Sequence, residues 1–228
     1  MKIEFLGTRG NVEPSAPCHS KHSGLLVDQK YLFDIGEKVF LERKPEAIFI
    51  THLHPDHAFF VESSEKKLSY NKPIYAPEQH KKADITVLEK KISLNDHIIT
   101  PIPTIHSKTV KSQAYLIEKN EKRVLYTGDL IWIEKKHHDK IKNLDAVITD
   151  GSFIRKGGLV RRGKEEGKLF GHQGIPDQIR LFDDYTDRII FTHFGSWFYE
   201  DIEESRKKIK SLASIKLEVA YDGLIIKI

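Results

Sequence analysis

Short apolar runs recur along the chain: KIEFLG, GLLVD, KYLFDIG, EAIFITH, HIITPIP, AYLIEK, RVLYTGD, DAVITDG, RIIFTHF and GLIIKI. Most are rich in β-branched or aromatic residues and are closed by Gly, Pro, Asp or Asn, the signature of short strands. Between them, amphipathic segments at about 78–91, 175–184 and 199–213 place apolar residues such as Ile202, Ile209 and Leu212 close to helical spacing, which predicts helices. Strands and hairpins dominate early, as in GLLVDQKYLFDIG, and strands alternate with helices later, so the pattern predicts an α/β protein with mixed sheets. No repeat, low-complexity tract or Gly/Ser/Pro linker divides the chain, and a single domain over 1–228 is expected.

Polar residues fall at particular places in this pattern. His52, Asp129, Asp150 and His193 each stand at the C-terminal end of an apolar run, the sheet edge where sites in α/β proteins are usually assembled. The stretch THLHPDHAFF, 51–60, adds His54, Asp56 and His57. In an extended segment alternate side chains face the same way, so His52 and His54 can share a metal, while Pro55 suits the first turn of a helix presenting Asp56 and His57 beside them. From the histidine and aspartate content of the chain, such an HxHxDH pattern arises by chance about two times in a thousand. Only one cysteine, Cys18, is present, which excludes a disulfide framework and a thiolate cage; any metal here takes nitrogen and oxygen ligands.

THLHPDH, His106 in PTIHSK, Asp129 in YTGDL and His193 in FTHFG, together with the opening LGTRG and the later FDIGE, resemble the metallo-β-lactamase superfamily over nearly the whole chain. The resemblance implies a four-layered αββα sandwich with a site for two divalent metal ions: His52, His54 and His106 on one, Asp56, His57 and His193 on the other, and Asp129 bridging. Imidazole and carboxylate suit Zn first, with Mn or Fe as alternatives. Aspartate at the bridging position, where antibiotic-hydrolysing members carry cysteine, argues against that activity. Two such metals would hold a bridging hydroxide for attack on a phosphoryl or carbonyl centre.

Downstream, TDGSF at 149–153 and FGHQG at 170–174 look like the phosphodiesterase branch of that superfamily, the tRNA 3′-processing endonucleases and cyclic-phosphate phosphodiesterases. The catalytic residues thus implied are Asp56, His172, which would donate a proton to the leaving group or stabilise it, and Asp150, which would orient His172. Gln173 and Gly174 stand where a hydroxyl residue is more usual, and Asp150 where the endonucleases generally have glutamate. The whole chain carries a net charge of +4, too little to announce nucleic-acid binding. Between Asp150 and His172, however, IRKGGLVRRGKEEGKLF at 154–170 holds six basic and two acidic residues. This predicts a basic hairpin or flap in which Arg155, Arg161 and Arg162, with Lys156, Lys164 and Lys168, attract a phosphate-bearing substrate.

The expected substrate is a phosphodiester, either a nucleic acid or a small nucleotide-like or cyclic one. Alternatives on the same scaffold are a thioester or lactone hydrolase, a mononuclear iron oxygenase of the persulfide type, and a non-catalytic binding module. With no apolar run of membrane-spanning length and no apolar leader in MKIEFLGTRG, a cytoplasmic protein without membrane association is expected, with a homodimer as an option. Trp132, Trp197, Phe198 and Tyr199 read as core more than as stacking platforms, His137 and His138 as a solvated pair, and His19 and His22 as loop residues near the cleft.

Overall fold

A computed structural model describes residues 1–163 and 167–228. Lys164 lies outside the described residues. All ten apolar runs form strands. The first sheet takes β1 (Lys2–Gly7), β2 (Gly24–Val27), β3 (Tyr31–Phe33), β4 (Ala47–Phe49), β5 (Ile74–Ala76) and β6 (Ile85–Val87). The second takes β7 (Ile92–Leu94), β8 (His97–Pro103), β9 (Gln113–Lys119), β10 (Lys122–Tyr126), β11 (Ala146–Asp150), β14 (Arg188–Thr192) and β15 (Lys216–Val219). Between β11 and β14, β12 (Leu159–Arg162) and β13 (Leu169–His172) form a separate hairpin. The last strand, β16 (Ile225–Lys227), pairs with β1 and closes the edge of the first sheet, whose order is β16-β1-β2-β3-β4-β5-β6. The second sheet runs β15-β14-β11-β10-β9-β8-β7.

Each sheet is antiparallel over part of its width and parallel over the rest: β3 to β6 in the first, β10, β11, β14 and β15 in the second. Strands buried on both faces explain why the runs are continuously apolar instead of alternating. One cluster, including Phe5, Val27, Phe33, Phe49, Tyr115, Ile117, Tyr126 and Ile148, fills the space between the sheets. The outer face of the second sheet packs Leu125, Val147, Ile189 and Phe191 against α1 (Ile175–Phe182), α2 (Trp197–Glu200) and α3 (Ile202–Lys210). The outer face of the first is covered by Phe40 and Phe60 from the 3₁₀ turns Lys38–Arg43 and Phe59–Val61. These are the four layers of the expected sandwich.

Two helix expectations change. Residues 78–91 form a loop and β6, because Ile85-Thr86-Val87 adds to the parallel edge of the first sheet beside β5; β-branched residues favour that pairing over a helix. Segment 199–213 is two helices broken at Asp201, whose carboxylate accepts from the Glu204 N–H at 3.0 Å and caps α3. Among the described residues, no helix is long and apolar enough to cross a membrane.

Candidate metal centre

Because β3 and β4 run parallel, as do β10, β11 and β14, their C-terminal ends open on one edge of the sandwich. Asp34 follows β3, His52 and His54 follow β4, His106 follows β8, Asp129 follows β10, Asp150 ends β11 and His193 follows β14. The turn at Gly128 has φ +58, and a Cβ there would lie 2.5 Å from Thr51 Oγ1. Glycine is thus required where the chain reverses to present Asp129. Pro55 does not start a helix; His54 to Ala58 make a single turn, with the N–H groups of His57 and Ala58 donating to the His54 carbonyl.

Seven predicted residues converge in two groups that share Asp129: His52, His54, His106 and Asp129, and Asp56, His57, His193 and Asp129. In the first, His52 Nε2 lies 3.0 Å and His106 Nε2 3.2 Å from His54 Nδ1. The Nδ1–H of His106 donates to the Gly171 carbonyl at 2.8 Å, so its Nε2 carries a lone pair. His52 Nδ1 meets Thr51 Oγ1 at 3.1 Å, and that hydroxyl gives its own proton to Asp34, so His52 Nδ1 is likewise the protonated atom. Two lone pairs therefore face His54 Nδ1, which can offer at most one proton. In the second group Asp129 Oδ1, fully buried, has no hydrogen-bond partner, although His57 Nε2 and His193 Nδ1 stand 3.1 and 3.3 Å away. Facing lone pairs and an orphaned carboxylate oxygen in buried N/O donor sets fit divalent cations.

The electrostatics divide the same way. Burial holds His52 well below the ordinary histidine range and His106 down at about 4. Burial also opposes charge on His57, but Asp129, Asp34 and Asp56 together outweigh it and raise that histidine well above its usual value. His193 is raised to about 10, burial being overcome by Asp129 and by bonds to Asp150 and Asp56. Burial would raise Asp56, yet His57 and His193 hold it at about 2.

Further hydrogen bonds fix the rings of His57 and His193. Asp34 Oδ2 accepts from His57 Nδ1 at 2.7 Å and from Tyr126 Oη at 2.8 Å, and Asp34 Oδ1 accepts from the Thr51 N–H at 2.7 Å. Ser152 Oγ contacts His193 Nδ1 at 2.9 Å. Asp34 was absent from the predicted site, though it ends an apolar strand like the other acids. Asp34 and His193 both adopt left-handed backbone, φ 58 and 57, a conformation that costs an ordinary residue energy and concentrates at functional positions.

Asp150 is buried, bonded to the Ser152 N–H at 2.8 Å and to His172 Nδ1 at 2.7 Å. His172 is half-buried, and Asp150 and Asp129 raise it above its ordinary value against the opposing effect of burial. It lines a cavity of about 430 Å³ together with His54, Asp56, His106, Asp129 and Trp197. The three arginines separate. Arg155 is tied to the Gly158 carbonyl and lies over Phe153, Arg162 donates to the Gly167 carbonyl, and Arg161 pairs across the hairpin with Phe170. His137 and His138 are not a solvated pair: both rings are half-buried, and His138 bonds the Ile133 carbonyl and Tyr185 Oη. Phe198 is core, and Trp132 packs beside His138.

A two-sheet sandwich with His and Asp clusters at one strand edge defines the metallo-β-lactamase fold. Solved structures agree. The metallo-β-lactamase fold protein YhfI from Bacillus subtilis superposes with a TM-score of 0.71 at 19% identity, covering 99% of this chain and 98% of its own. A diphosphatase of the PhnP family follows at 0.67 and 18% identity, covering 100% of this chain and 97% of its own. The family model described as the beta-lactamase superfamily domain matches residues 36–194, and the chain belongs to that superfamily. Ribonuclease Z of Methanococcus maripaludis is 25% identical over 199 residues, which span 82% of this chain and 59% of the relative. The chain thus spans about three fifths of the length of that relative.

Proposed function

We propose that the protein is a binuclear metal-dependent phosphodiesterase acting on a nucleic acid or on a small nucleotide-like or cyclic phosphodiester. The observation that carries this reading is His172 on the wall of a cavity that it shares with residues of the two donor sets joined at Asp129, with buried Asp150 bonded behind it. A relative named a ribonuclease and a neighbour described as a diphosphatase support it. His52, His54 and His106 would hold one cation, Asp56, His57 and His193 the other, with Asp129 between them; zinc suits the donors, and manganese or iron are the alternatives. Bound there, the cations would polarise a phosphoryl oxygen and acidify a water.

The chain's own residues supply the rest. Asp34 and the Gly171 carbonyl fix the tautomers of His57 and His106. Asp150 holds His172 by Nδ1, which leaves Nε2 as the atom that delivers a proton to the departing oxygen. Such an acid matters for a poor alkoxide leaving group, whereas a thioester hydrolase on the same centre has little need of it. A single domain over 1–228, a cytoplasmic setting and self-association into a homodimer accompany this proposal.

A metal-replete screen over RNA 3′ ends, single-stranded DNA, cyclic nucleotides and thioesters tests it. Phosphodiester cleavage that depends on added metal is the expected result. Turnover of a thioester with every phosphodiester intact would overturn it, and one iron per chain would favour an oxygenase.

A further inference from the structure

Gly171 is the hinge of a regular arrangement just outside the metal centre. Its N–H donates to the His106 carbonyl at 2.8 Å, and its carbonyl accepts from His106 Nδ1 at the same distance. Its φ is +116, and a Cβ there would meet the Leu159 carbonyl at 1.9 Å, so only glycine lets β13 lie this close to β12 while turning its N–H to the His106 loop. The His106 loop therefore meets β13 at Gly171, through that residue's N–H and carbonyl. His106 packs on His172 with ring centroids 4.8 Å apart, and two residues along each segment Lys108 Nζ sits 4.9 Å over the Phe170 ring.

The hairpin register extends the pattern. Leu159 pairs with His172 and Arg161 with Phe170. Directly opposed residues of an antiparallel pair project on one face, and alternate residues share it. Leu159 and His172 both line the catalytic cavity, so Arg161 and Phe170 lie on that same face, two residues or about 7 Å farther out. Arg162 and Leu169 fall on the opposite face. The inner row is Leu159, His172 and His106; the outer row is Arg161, Phe170 and Lys108, an aromatic ring between two cations. Arg161 and Lys108 are exposed and Phe170 is half-buried.

We propose that Arg161, Phe170 and Lys108 form a subsite for the nucleotide flanking the scissile phosphate, its base stacked on Phe170 and its phosphate between the two cations. This deepens the phosphodiesterase reading and rests on it: a substrate must extend one nucleotide beyond the bond broken to reach the outer row. Aromatic rings flanked by basic residues bind single-stranded nucleic acid in this way, without requiring a particular base. Arg161 is then the specificity arginine of the basic segment, and Arg162 is not.

The test uses the full, metal-replete chain and compares Arg161→Ala, Phe170→Ala, Phe170→Tyr and Arg162→Ala. Each is assayed for kcat/KM on a single-stranded oligoribonucleotide and on bis(p-nitrophenyl) phosphate, and for affinity by anisotropy of a fluorescein-labelled oligoribonucleotide. Arg161→Ala and Phe170→Ala are expected to lower the ratio of oligonucleotide to small-ester kcat/KM about tenfold through KM, with a matching loss of affinity. Phe170→Tyr should restore the Phe170→Ala loss, and Arg162→Ala should keep the ratio within about twofold. The ratio cancels losses common to both substrates. An equal fall in Arg162→Ala would mean general charge attraction, and an unmoved ratio and affinity in Phe170→Ala would leave Lys108 over Phe170 as a structural clasp; either overturns the subsite. Cleavage of neither ester by the parent protein would sink the phosphodiesterase reading, while the anisotropy series would still decide the subsite.

Discussion

Asp34→Asn perturbs the proposed metal centre without replacing a proposed ligand. The Asp34 carboxylate is fully buried and receives the Thr51 N–H and hydroxyl, the Tyr126 hydroxyl and His57 Nδ1–H. An asparagine of the same shape can keep its oxygen toward Thr51, but its NH₂ then faces two donors, Tyr126 Oη–H and His57 Nδ1–H. Tyr126 can rotate its proton away. His57 can accept only by moving its proton to Nε2, the atom 3.1 Å from Asp129 Oδ1, which turns a ligand lone pair into an N–H. Leaving one buried donor unmade costs about 1–3 kcal/mol, and about 1.4 kcal/mol is a factor of ten in an equilibrium constant. Metal affinity at the Asp56, His57, His193 position should therefore fall about 10- to 100-fold, the range usual for groups that orient metal ligands. Competition titration with a chromophoric zinc chelator reads that affinity, and a thermal melt, at about 2–4 °C per kcal/mol for a chain of this size, reads the apo stability. Were Asp34→Asn to lower the melting temperature while binding the second metal as the parent does, Asp34 would be a structural group only and the tautomer argument would fail.

Stripping metal with a chelator should abolish hydrolysis and lower the melting temperature by several degrees, both restored by Zn or Mn, because the buried carboxylates lose their counter-charge; melting unchanged after verified metal removal would contradict the donor-set reading. His172→Ala should cut kcat on an alkyl-leaving phosphodiester about 10²- to 10⁴-fold and on bis(p-nitrophenyl) phosphate much less, since nitrophenolate leaves without a proton; equal losses on both would remove the acid role. His19 is held at about 4 by burial and by Arg206, so protonation favours the unfolded chain: its contribution is complete above about pH 6.5 and is lost as pH falls toward 4, with a slope of at most about 1.4 kcal/mol per pH unit. Urea midpoints between pH 7 and 5 should decline less steeply for His19→Gln, and identical slopes would refute the assignment. Gly171→Ala should impair metal binding at His106 by about tenfold or more, because its Cβ displaces the Leu159 carbonyl and with it the hairpin; parent-like titration would show that the loop does not depend on that contact.

The sequence by itself determined ten of the sixteen strands of the described residues, because each of those apolar runs is long enough and β-rich enough to leave little choice. It also marked His52, Asp129, Asp150 and His193 as polar residues closing apolar runs, which emerge on one edge once parallel strands align, whereas His54, Asp56, His57 and His106 entered the expected donor set through the THLHPDH motif and the family resemblance. Local patterns misled where a tertiary partner outweighed them. Residues 78–91 carry helical spacing but add a strand to an open sheet edge, and Pro55 opens a turn whose outcome is fixed by the sheet before it. Only the tertiary structure could decide which residues stand behind the ligands. Asp34 reaches His57 across 23 positions and Gly171 reaches His106 across 65, and no local signal encodes a carbonyl that must accept one proton. The same holds for the basic segment. Sequence counts six like charges there, whereas the hairpin register puts Arg161 on the face of His172 and Arg162 on the other. Charge is a property of composition, but the direction in which a side chain points depends on pairing, and pairing exists only in the fold.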